Sequence, residues 1–245
     1  MKKLLTLLAG IIPIGILRRI FLKILGHEIS LNSRIGLNLL FVETIIMKES
    51  SKIGYFNIIL NDQITLDRGA FIKHLNLLKG PFTLKLQIGA GISKQNKFRR
   101  ASNLISEKKL GLTLGMNSFI VSNHFFDVTK SITIGKNSII AGIGTQLWTH
   151  GYYHADTGKD RIRIDGKIQI GDNVYIGSGC IFNPGVKVGN AIHVGSGSVV
   201  SKDLEKPGMY VSQGLRHIEN SLDKVKSKLK KVKDHGLVEP IYKKE

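Results

Sequence analysis

The chain has 245 residues and a formal net charge of +18, because 36 lysines and arginines outnumber 18 aspartates and glutamates. This charge favours an anionic partner such as a lipid headgroup or a phosphate, but no nucleic-acid-binding motif accompanies it, so nucleic acid is not expected. Apolar residues make up 42% of the chain and can fill the core of one domain with extensions, while the single cysteine excludes a disulfide within the chain.

Residues 1–29 form the first predicted segment, in which apolar residues are mixed with lysines and arginines. The uninterrupted apolar run from Leu4 to Leu17 is shorter than the ~20 residues of a membrane-spanning helix, and no clean signal-peptide cleavage site follows it. We predict a helix that either lies on the inner face of the cytoplasmic membrane or packs against protein, and both alternatives stay open. With a lone cysteine, the chain is predicted to be cytoplasmic.

Short pieces in which an apolar residue precedes glycine recur between residues 30 and 112, among them SRIGLN, SKIGYFNI and LQIGAGIS. They look like weakened copies of a clearer repeat further along the chain, spaced by insertions. Residues 93–109 are polar and basic and interrupt these copies, so we expect them to project as a loop.

The repeat is strongest between residues 170 and 200, where a bulky apolar residue occupies every sixth position and glycine follows four of them. These positions are Ile170, Ile176, Phe182, Val188, Val194 and Val200. A strand repeats every two residues and a helix every 3.6, so a period of six indicates short straight runs joined by tight corners. The sequence therefore predicts an all-β parallel β-helix over residues 30–204, with a loop at 146–163.

Residues 205–245 leave the repeat through a turn at residues 207–208, Pro-Gly. Apolar residues then follow at three- and four-residue spacing among lysines, at Leu222, Val225, Leu229 and Val232. This spacing predicts a basic amphipathic helix, followed by a loose tail.

Four pieces follow one another between Ile134 and Ile218: a coil IGKNSIIAG, a loop QLWTHGYYHADTGKDR, the coils IGDNVYIGSGCIFNPGVKVG and a final VGSGSVVSKDL. In this order they resemble the hexapeptide-repeat acyltransferases, which are left-handed parallel β-helices, and in particular the O-acetyltransferases of maltose, galactosides and polysaccharides. The resemblance implies transfer of an acetyl group from acetyl-CoA to a sugar hydroxyl by a homotrimer, with no metal. The left-handed sense also comes from the resemblance, because a period alone does not give it.

Transfer of an acetyl group to a hydroxyl needs a base, and a histidine near neutrality suits this task. The resemblance places the catalytic histidine at the end of the sequence LWTH, which is His150, with His154 as the alternative. It also implies that Asn123 contacts the sugar, and that Asp127 contacts the acceptor or orients the histidine, although both residues also suit turns. Trp148 is predicted to form an apolar wall of the site or simply to pack.

The donor is expected along the later coils, in a cleft between two subunits. By resemblance, the backbone near the pantetheine arm belongs to Gly177, Ser178, Ser196 and Gly197, and Lys202 lies near the nucleotide phosphates. Glycine permits close approach of a ligand to the backbone. The same residues also suit the corners of any coil, and Cys180, inside the repeat, is assigned no chemistry.

Other functions stay open at this point. His124, His150 and His154 could hold zinc, as in the carbonic anhydrases built on this repeat, or the β-helix could be a scaffold without catalysis. Within acyltransferases, N-acetylation of an amino sugar and acetylation of serine are alternatives. The apolar N-terminal segment favours a lipid-linked saccharide or a precursor of capsule, O-antigen or exopolysaccharide as the acceptor.

Overall fold

The computed structural model describes residues 1–101, 110–153, 162–212, 216–218, 230–231 and 242–243. In these ranges two short helices precede a long succession of short strands, most of which stack in three parallel sheets. The all-β parallel β-helix predicted from the repeat is confirmed, and the architecture is consistent with the left-handed form that the resemblance implies.

The elements in chain order are α1 (Lys2–Gly10), α2 (Gly15–Ile24), β1 (Glu28–Ile29), β2 (Arg34–Ile35), β3 (Leu39–Leu40), β4 (Thr44–Met47), β5 (Lys52–Ile53), β6 (Ile58–Leu60), β7 (Gln63–Leu66), β8 (Phe71–Ile72), β9 (Leu77–Lys79), β10 (Thr83–Leu86), β11 (Gly91–Ile92), β12 (Lys97–Arg99), β13 (Gly111–Leu114), β14 (Phe119–Ile120), β15 (Phe125–Asp127), β16 (Ile132–Ile134), β17 (Ile139–Ile140), β18 (Gln146–Leu147), β19 (His150–Tyr153), β20 (Ile162–Asp165), β21 (Ile168–Ile170), β22 (Tyr175–Ile176), β23 (Ile181–Phe182), β24 (Lys187–Val188), β25 (Ile192–Val194), β26 (Val199–Val200), β27 (Gly208–Val211), β28 (Arg216–Ile218), β29 (Lys230–Lys231) and β30 (Tyr242–Lys243).

Three sheets form the sides of the β-helix. Sheet A contains β1, β4, β7, β10, β13, β16, β21 and β24; sheet B contains β2, β5, β8, β11, β14, β17, β22, β25, β27 and β28; sheet C contains β3, β6, β9, β12, β15, β18, β23 and β26. Strands from successive coils pair in parallel within each sheet, and β28 closes sheet B with an antiparallel pair. Each coil therefore contributes one strand to each side.

The six-residue period has a direct structural cause. In a typical strand the first residue faces outward and the second is buried, so that each side of a coil sends one apolar side chain into the interior. Coils stack these side chains in columns, and the rings of Phe98 and Phe126 on adjacent coils lie 4.7 Å apart between centroids. The apolar core is thus a continuous column along the axis.

Buried polar side chains line the corner between sheets B and C, which we call the glycine corner because Gly144, Gly179 and Gly197 occupy its later turns. Seven residues stacked there on successive coils are buried: Asn38, Asn57, Asn76, Asn96, His124, Thr145 and Cys180. Six of them each accept a hydrogen bond from the backbone N–H of the next one along this column. This polar ladder satisfies backbone donors that the corner would otherwise leave buried and unpaired.

Spacings along the ladder show where the chain departs from a regular coil. Ladder partners are 19 or 20 residues apart between Asn38 and Asn96, close to three six-residue repeats. The separation grows to 28 residues between Asn96 and His124 and to 35 residues between Thr145 and Cys180. The chain therefore makes two excursions, one after sheet C strand β12 and one after β18.

The first excursion is shorter than the loop predicted at residues 93–109. Residues 93–101 belong to a regular coil, in which Lys97–Arg99 form β12, Asn96 joins the ladder and Phe98 is fully buried. The polar side chains of this stretch face outward from the coil. Because they outnumber the apolar residues here, the six-residue spacing between Ile92 and Phe98 was not recognised in the sequence. Residues 102–109 lie outside the described residues.

Helices α1 and α2 cover the first coil of the β-helix. The backbone N–H of Asn38 donates to the carbonyl of Gly10, and the buried guanidinium of Arg18 donates to the carbonyl of Ile35 at 2.6 Å. His27 Nε2 donates to Thr6 Oγ1 at 2.9 Å while its Nδ1 accepts the N–H of Ile45, and burial lowers the pKa of His27 to about 4. Packing of the predicted N-terminal helix on the coil stack is therefore observed.

In the described part of the chain, no helix is both long and apolar enough to cross a membrane. Of the predicted C-terminal helix, only Lys230–Lys231 is described, and it pairs with Tyr242–Lys243 in a two-stranded antiparallel sheet. Leu222, Val225, Leu229 and Val232 lie outside the described residues.

Candidate active site

The second excursion is a β-hairpin formed by β19 and β20. His150 pairs with Asp165 and Tyr152 with Arg163, and the N–H of Gly166 donates to the carbonyl of Thr149 where the hairpin rejoins the coil. The predicted loop at 146–163 therefore begins later, since Gln146–Leu147 still form the sheet C strand β18. His154 lies outside the described residues.

The hairpin leaves the β-helix at the corner between sheets C and A, which we call the histidine corner. His150 Nδ1 lies 2.7 Å from Oδ2 of Asp127, which is on the preceding coil. Because a carboxylate only accepts hydrogen bonds, Nδ1 carries the proton in this contact and Nε2 of a neutral ring is left with its lone pair. The imidazole is 20% exposed, and Nε2 has no hydrogen-bond partner among the described residues.

Asp127 is held by several donors besides His150. Its Oδ2 accepts from Thr149 N at 2.9 Å and from Thr149 Oγ1 at 2.8 Å, and its Oδ1 accepts from Thr129 Oγ1 at 2.6 Å. The carboxylate is only 4% exposed, so these bonds replace water around its charge. The arrangement fits the orienting role, one of the two roles predicted for Asp127, since the carboxylate is almost inaccessible to an acceptor.

Charged side chains fasten the base of the hairpin to the coil. Asp165, directly opposite His150, lies 2.5 Å from Arg163 Nε and 3.9 Å from Lys130 Nζ. All three side chains are between 13% and 15% exposed, so the ion pairs are only weakly screened by water. They restrain the strand that carries His150.

Aromatic rings surround the exposed edge of His150. Trp148 packs against Phe125 with ring centroids 4.8 Å apart and donates its indole N–H to Gln146. Trp148 and Tyr152 both approach the imidazole edge-on, with centroids 6.5 and 6.2 Å away. Trp148 therefore packs against its neighbours, which is one of the two alternatives predicted for it, and its role as an apolar wall for a ligand stays a prediction.

Asn123 does not lie with His150. It is exposed at the glycine corner in the left-handed backbone region, with φ 58°, at the position that glycine takes in the next coil. Four residues of extended chain, about 13 Å, separate it from Asp127. This position fits the turn alternative, because asparagine tolerates the left-handed region, and contact with a sugar stays a prediction.

The four small residues predicted near the pantetheine arm share the glycine corner. Gly197 N–H donates to the carbonyl of Ser178, and a Cβ on Gly177 would lie 2.6 Å from Ser196 Oγ, so Gly177 allows adjacent coils to stack closely. Gly197 has φ +73°, and a Cβ added there would meet no atom within 4 Å. The backbone of this corner is therefore open to a ligand.

Lys202 lies apart from those four residues. It is exposed and follows the sheet C strand β26, which places it at the histidine corner, beyond His150 along the axis. In one subunit the five residues predicted for the donor are thus divided between the two edges of sheet C.

His124 belongs to the polar ladder and lies apart from the hairpin. Its Nδ1 accepts the N–H of Thr145 at 3.1 Å, the ring is 1% exposed, and burial lowers its pKa to about 4. Among the described residues no group of three or more His, Cys, Asp or Glu is arranged to hold a metal ion. Cys180 lies in the same ladder, where burial raises the pKa of its thiol.

Three contributors to this site were missed in the sequence. Phe125 and Tyr152 were given no role, because an aromatic residue in a repeat looks like any other packing residue. Thr129 could have been found from the spacing Asp127-x-Thr129, since a threonine two residues after an aspartate commonly donates to its carboxylate in a turn. Thr149 was recognised only as part of LWTH.

Comparison with known proteins gives the same picture of the repeat. Residues 167–202 match the family described as "Bacterial transferase hexapeptide (six repeats)". The galactoside O-acetyltransferase of Escherichia coli (strain K12) is 39% identical over 104 residues, which are 40% of this chain and 51% of that protein. The match thus spans about half the length of this curated relative.

Solved structures of acetyltransferases are also similar. A maltose O-acetyltransferase from Clostridium difficile 630 is 27% identical with a TM-score of 0.40, covering 62% of this chain and 68% of that one. A hexapeptide-repeat acetyltransferase from Vibrio cholerae O1 biovar eltor, solved with acetyl coenzyme A, is 22% identical with a TM-score of 0.41, covering 62% and 70%. The resemblance to hexapeptide-repeat transferases predicted from the sequence is confirmed by the family match and the relative from Escherichia coli.

Proposed function

We propose that this protein is an O-acetyltransferase that moves the acetyl group of acetyl-CoA to a sugar hydroxyl, with His150 as the general base. The observation that carries the proposal is the 2.7 Å contact between His150 Nδ1 and the buried carboxylate of Asp127. A carboxylate on Nδ1 fixes the tautomer in which Nε2 accepts a proton, as a base for hydroxyl attack requires.

In the proposed reaction Nε2 of His150 takes the hydroxyl proton as the sugar oxygen attacks the thioester carbonyl. The tetrahedral intermediate then collapses, its carbon–sulfur bond breaks, and the CoA sulfur leaves with the proton that His150 had taken. Asp127 keeps its charge throughout and stabilises the transient imidazolium, while Thr149 and Thr129 hold the carboxylate in place. Trp148 and Tyr152 limit access of water to the ring.

We propose that acetyl-CoA binds as the donor along the glycine corner. The backbone at Gly179 and Gly197 faces open space, so an extended pantetheine arm could approach it and exchange hydrogen bonds with it. Ser178 and Ser196 add hydroxyl groups at the same corner, and exposed Lys202 carries a charge suited to a phosphate. The crystallised relative from Vibrio cholerae contains this donor.

The separation of the two corners supports an active site shared between subunits, for which we propose the homotrimer that the resemblance implies. Within one subunit the open backbone of the glycine corner and the base at the histidine corner lie on opposite edges of sheet C, about 10–13 Å apart by strand length. A neighbouring subunit packed beside sheet C would bring its own glycine corner to His150. The active site would then be complete only between subunits, as the resemblance implies.

For the acceptor we propose a saccharide destined for surface polysaccharide. The relative from Escherichia coli is named for galactosides, and the aromatic rings of Trp148, Phe125 and Tyr152 offer apolar faces beside His150 that suit the faces of sugar rings.

The proposal is tested by following CoA release from acetyl-CoA with and without sugar acceptors, and by mass measurement of the product. We expect release that depends on a sugar hydroxyl and a product heavier by one acetyl group. Release that needs an amine on the sugar would indicate N-acetylation. No release with any saccharide, from protein that is folded and binds acetyl-CoA, would contradict the proposed acceptor class, and failure to bind acetyl-CoA would contradict the transferase itself.

A further inference from the structure

The outward faces of α1 and α2 form an apolar surface, which we call the cap surface. It consists of nine side chains that are between 41% and 74% exposed: Leu4, Leu5, Leu8, Ile11, Ile16, Leu17, Ile20, Phe21 and Ile24. Eight of them recur at three- and four-residue spacing along one side of α1 or α2, and Ile11 directly follows α1. Soluble proteins rarely leave an apolar patch of this extent uncovered, so it indicates an interaction site.

The fold does not need these side chains. The opposite sides of the helices supply the contacts to the β-helix, through Thr6, Ala9, Arg18 and Leu22, all of which are buried. The cap surface is therefore additional to the packing that closes the end of the coil stack.

Charge distinguishes between the surfaces that could cover the cap. Residues 1–27 contain five lysines and arginines and no aspartate or glutamate, and three of the five remain after Lys3, which pairs with Asp62, and Arg18, which is buried. Between α2 and the first coil lies a hollow of about 740 Å³ lined by Arg18, Arg19 and Arg34 among others, and Lys23 is exposed on α2. A second copy docked on the same face would bring two such basic segments together. An anionic bilayer supplies an apolar layer and negative headgroups at once.

We propose that the cap surface docks this protein on an anionic lipid bilayer, with α1 and α2 lying in the interface and the exposed Lys23 among the headgroups. The axis of the β-helix then points away from the membrane, because the cap covers its first coil. Asp127 lies in the fifth strand of sheet C counted from that end, and four strand spacings are about 19 Å.

This orientation has a consequence that rests on the proposed function. His150 would act at least about 19 Å from the lipid, on a part of the acceptor held away from the bilayer. Between the cap and Asp127, the outer face of sheet C carries the exposed basic residues Lys79, Lys97 and Arg99. These charges suit an acceptor with anionic groups. The docking itself is independent of any catalytic activity.

The test is flotation of the purified full chain with vesicles of phosphatidylcholine alone and with vesicles that also contain phosphatidylglycerol. We expect the protein to float with the anionic vesicles and to remain in solution with the neutral ones. Ile20→Gln combined with Phe21→Gln should weaken binding roughly thirtyfold, since two half-exposed apolar side chains are lost. Lys23→Gln should weaken it about fivefold and make it less sensitive to salt.

The matched control is Ile88→Gln combined with Met116→Gln, two apolar residues of 39% and 37% exposure outside the cap, which should bind vesicles like the wild type. Thermal unfolding of each variant checks that the fold is kept. The proposal is overturned if the wild type stays in solution with anionic vesicles, or if the cap variants float as well as the control. A fall in oligomer size in the cap variants, without vesicle binding by the wild type, would assign the cap to contact between copies.

Discussion

His124 and His150 lie on consecutive turns of the same β-helix, and their ring nitrogens are used in opposite ways. His124 Nδ1 accepts a backbone N–H at 3.1 Å in a ring that is 1% exposed, whereas His150 Nδ1 faces a carboxylate at 2.7 Å in a ring that is 20% exposed. A backbone amide can only donate and a carboxylate can only accept, so the protons sit on different nitrogens. The partner of Nδ1 therefore decides which ring nitrogen keeps a lone pair, and we propose that this difference separates a corner residue from a base.

We expect the greatest loss of activity when His150, the proposed base of this pair, is replaced. His150→Ala should lower kcat for acetyl transfer by about 10²–10⁴, the usual contribution of a general base, with acetyl-CoA binding unchanged. CoA release measures the rate, and calorimetric titration measures binding. His124→Asn is the matched control and should keep wild-type kcat. Wild-type turnover in His150→Ala would assign the base elsewhere, with His154 as the next residue to test.

A smaller loss is expected when the base is kept but its orienting partner is changed. Asp127→Asn keeps the shape of the side chain, but its amide no longer requires a proton on His150 Nδ1. We expect kcat to fall about 10–100-fold, the range measured when metal-bound histidines lose the partner that orients them. The KM for acetyl-CoA should stay unchanged. If KM for the sugar rises instead while kcat is kept, Asp127 contacts the acceptor, the other role predicted for it.

His124 represents the structural role in this comparison, and the contribution of its polar ladder to stability can be tested at Asn76. Asn76→Ala removes the acceptor of Asn96 N–H, which is buried, and the donor to the carbonyl of Ser93, which is partly buried. We expect the free energy of unfolding to fall by about 1–3 kcal/mol for the groups left unpaired. Denaturant titration measures it, and Asn32→Ala, at an exposed position, is the control. Equal stability of the two variants would show that the ladder contributes nothing.

The smallest effect at neutral pH is expected from His124→Asn. Asparagine fills four earlier positions of the ladder, so it should accept the N–H of Thr145 and leave stability at pH 7 nearly unchanged.

Acid should separate this variant from the wild type. Burial lowers the pKa of His124 from 6.5 to about 4, so protonation favours the unfolded chain, and stability is lost as pH falls from about 6.5 toward 4. The loss is at most about 1.4 kcal/mol per pH unit for each such histidine. His27 behaves alike, so His124→Asn should remove only part of the slope. An unchanged slope between pH 7 and 5 would contradict the buried neutral ring.

The core was predictable because its signal is local: one apolar residue at every sixth position marks each inward side chain. The ladder was not, because its asparagines look like loop residues in sequence. Asn96 was therefore placed in a projecting loop, although its side chain bonds to residues 20 and 28 positions away.

The site was only partly predictable for a related reason. The sequence LWTH identified His150. Short polar residues occur both at the glycine corner and beside His150, so the sequence did not show that Asn123 lies at the former and Asp127 at the latter. Thr129 and Thr149 both donate hydrogen bonds to the carboxylate of Asp127, and the order of residues alone does not reveal these contacts. Asn123, His154 and the donor residues stay predictions.

The most direct test of these opposite roles is nitrogen NMR of the protein labelled at histidine, with the two rings assigned by loss of their signals in His150→Ala and His124→Asn. We expect, at neutral pH, a proton on Nδ1 and a bare Nε2 for His150, and the reverse for His124. A proton on Nε2 of neutral His150 would contradict the proposed base, because that nitrogen could not then accept the proton of a sugar hydroxyl.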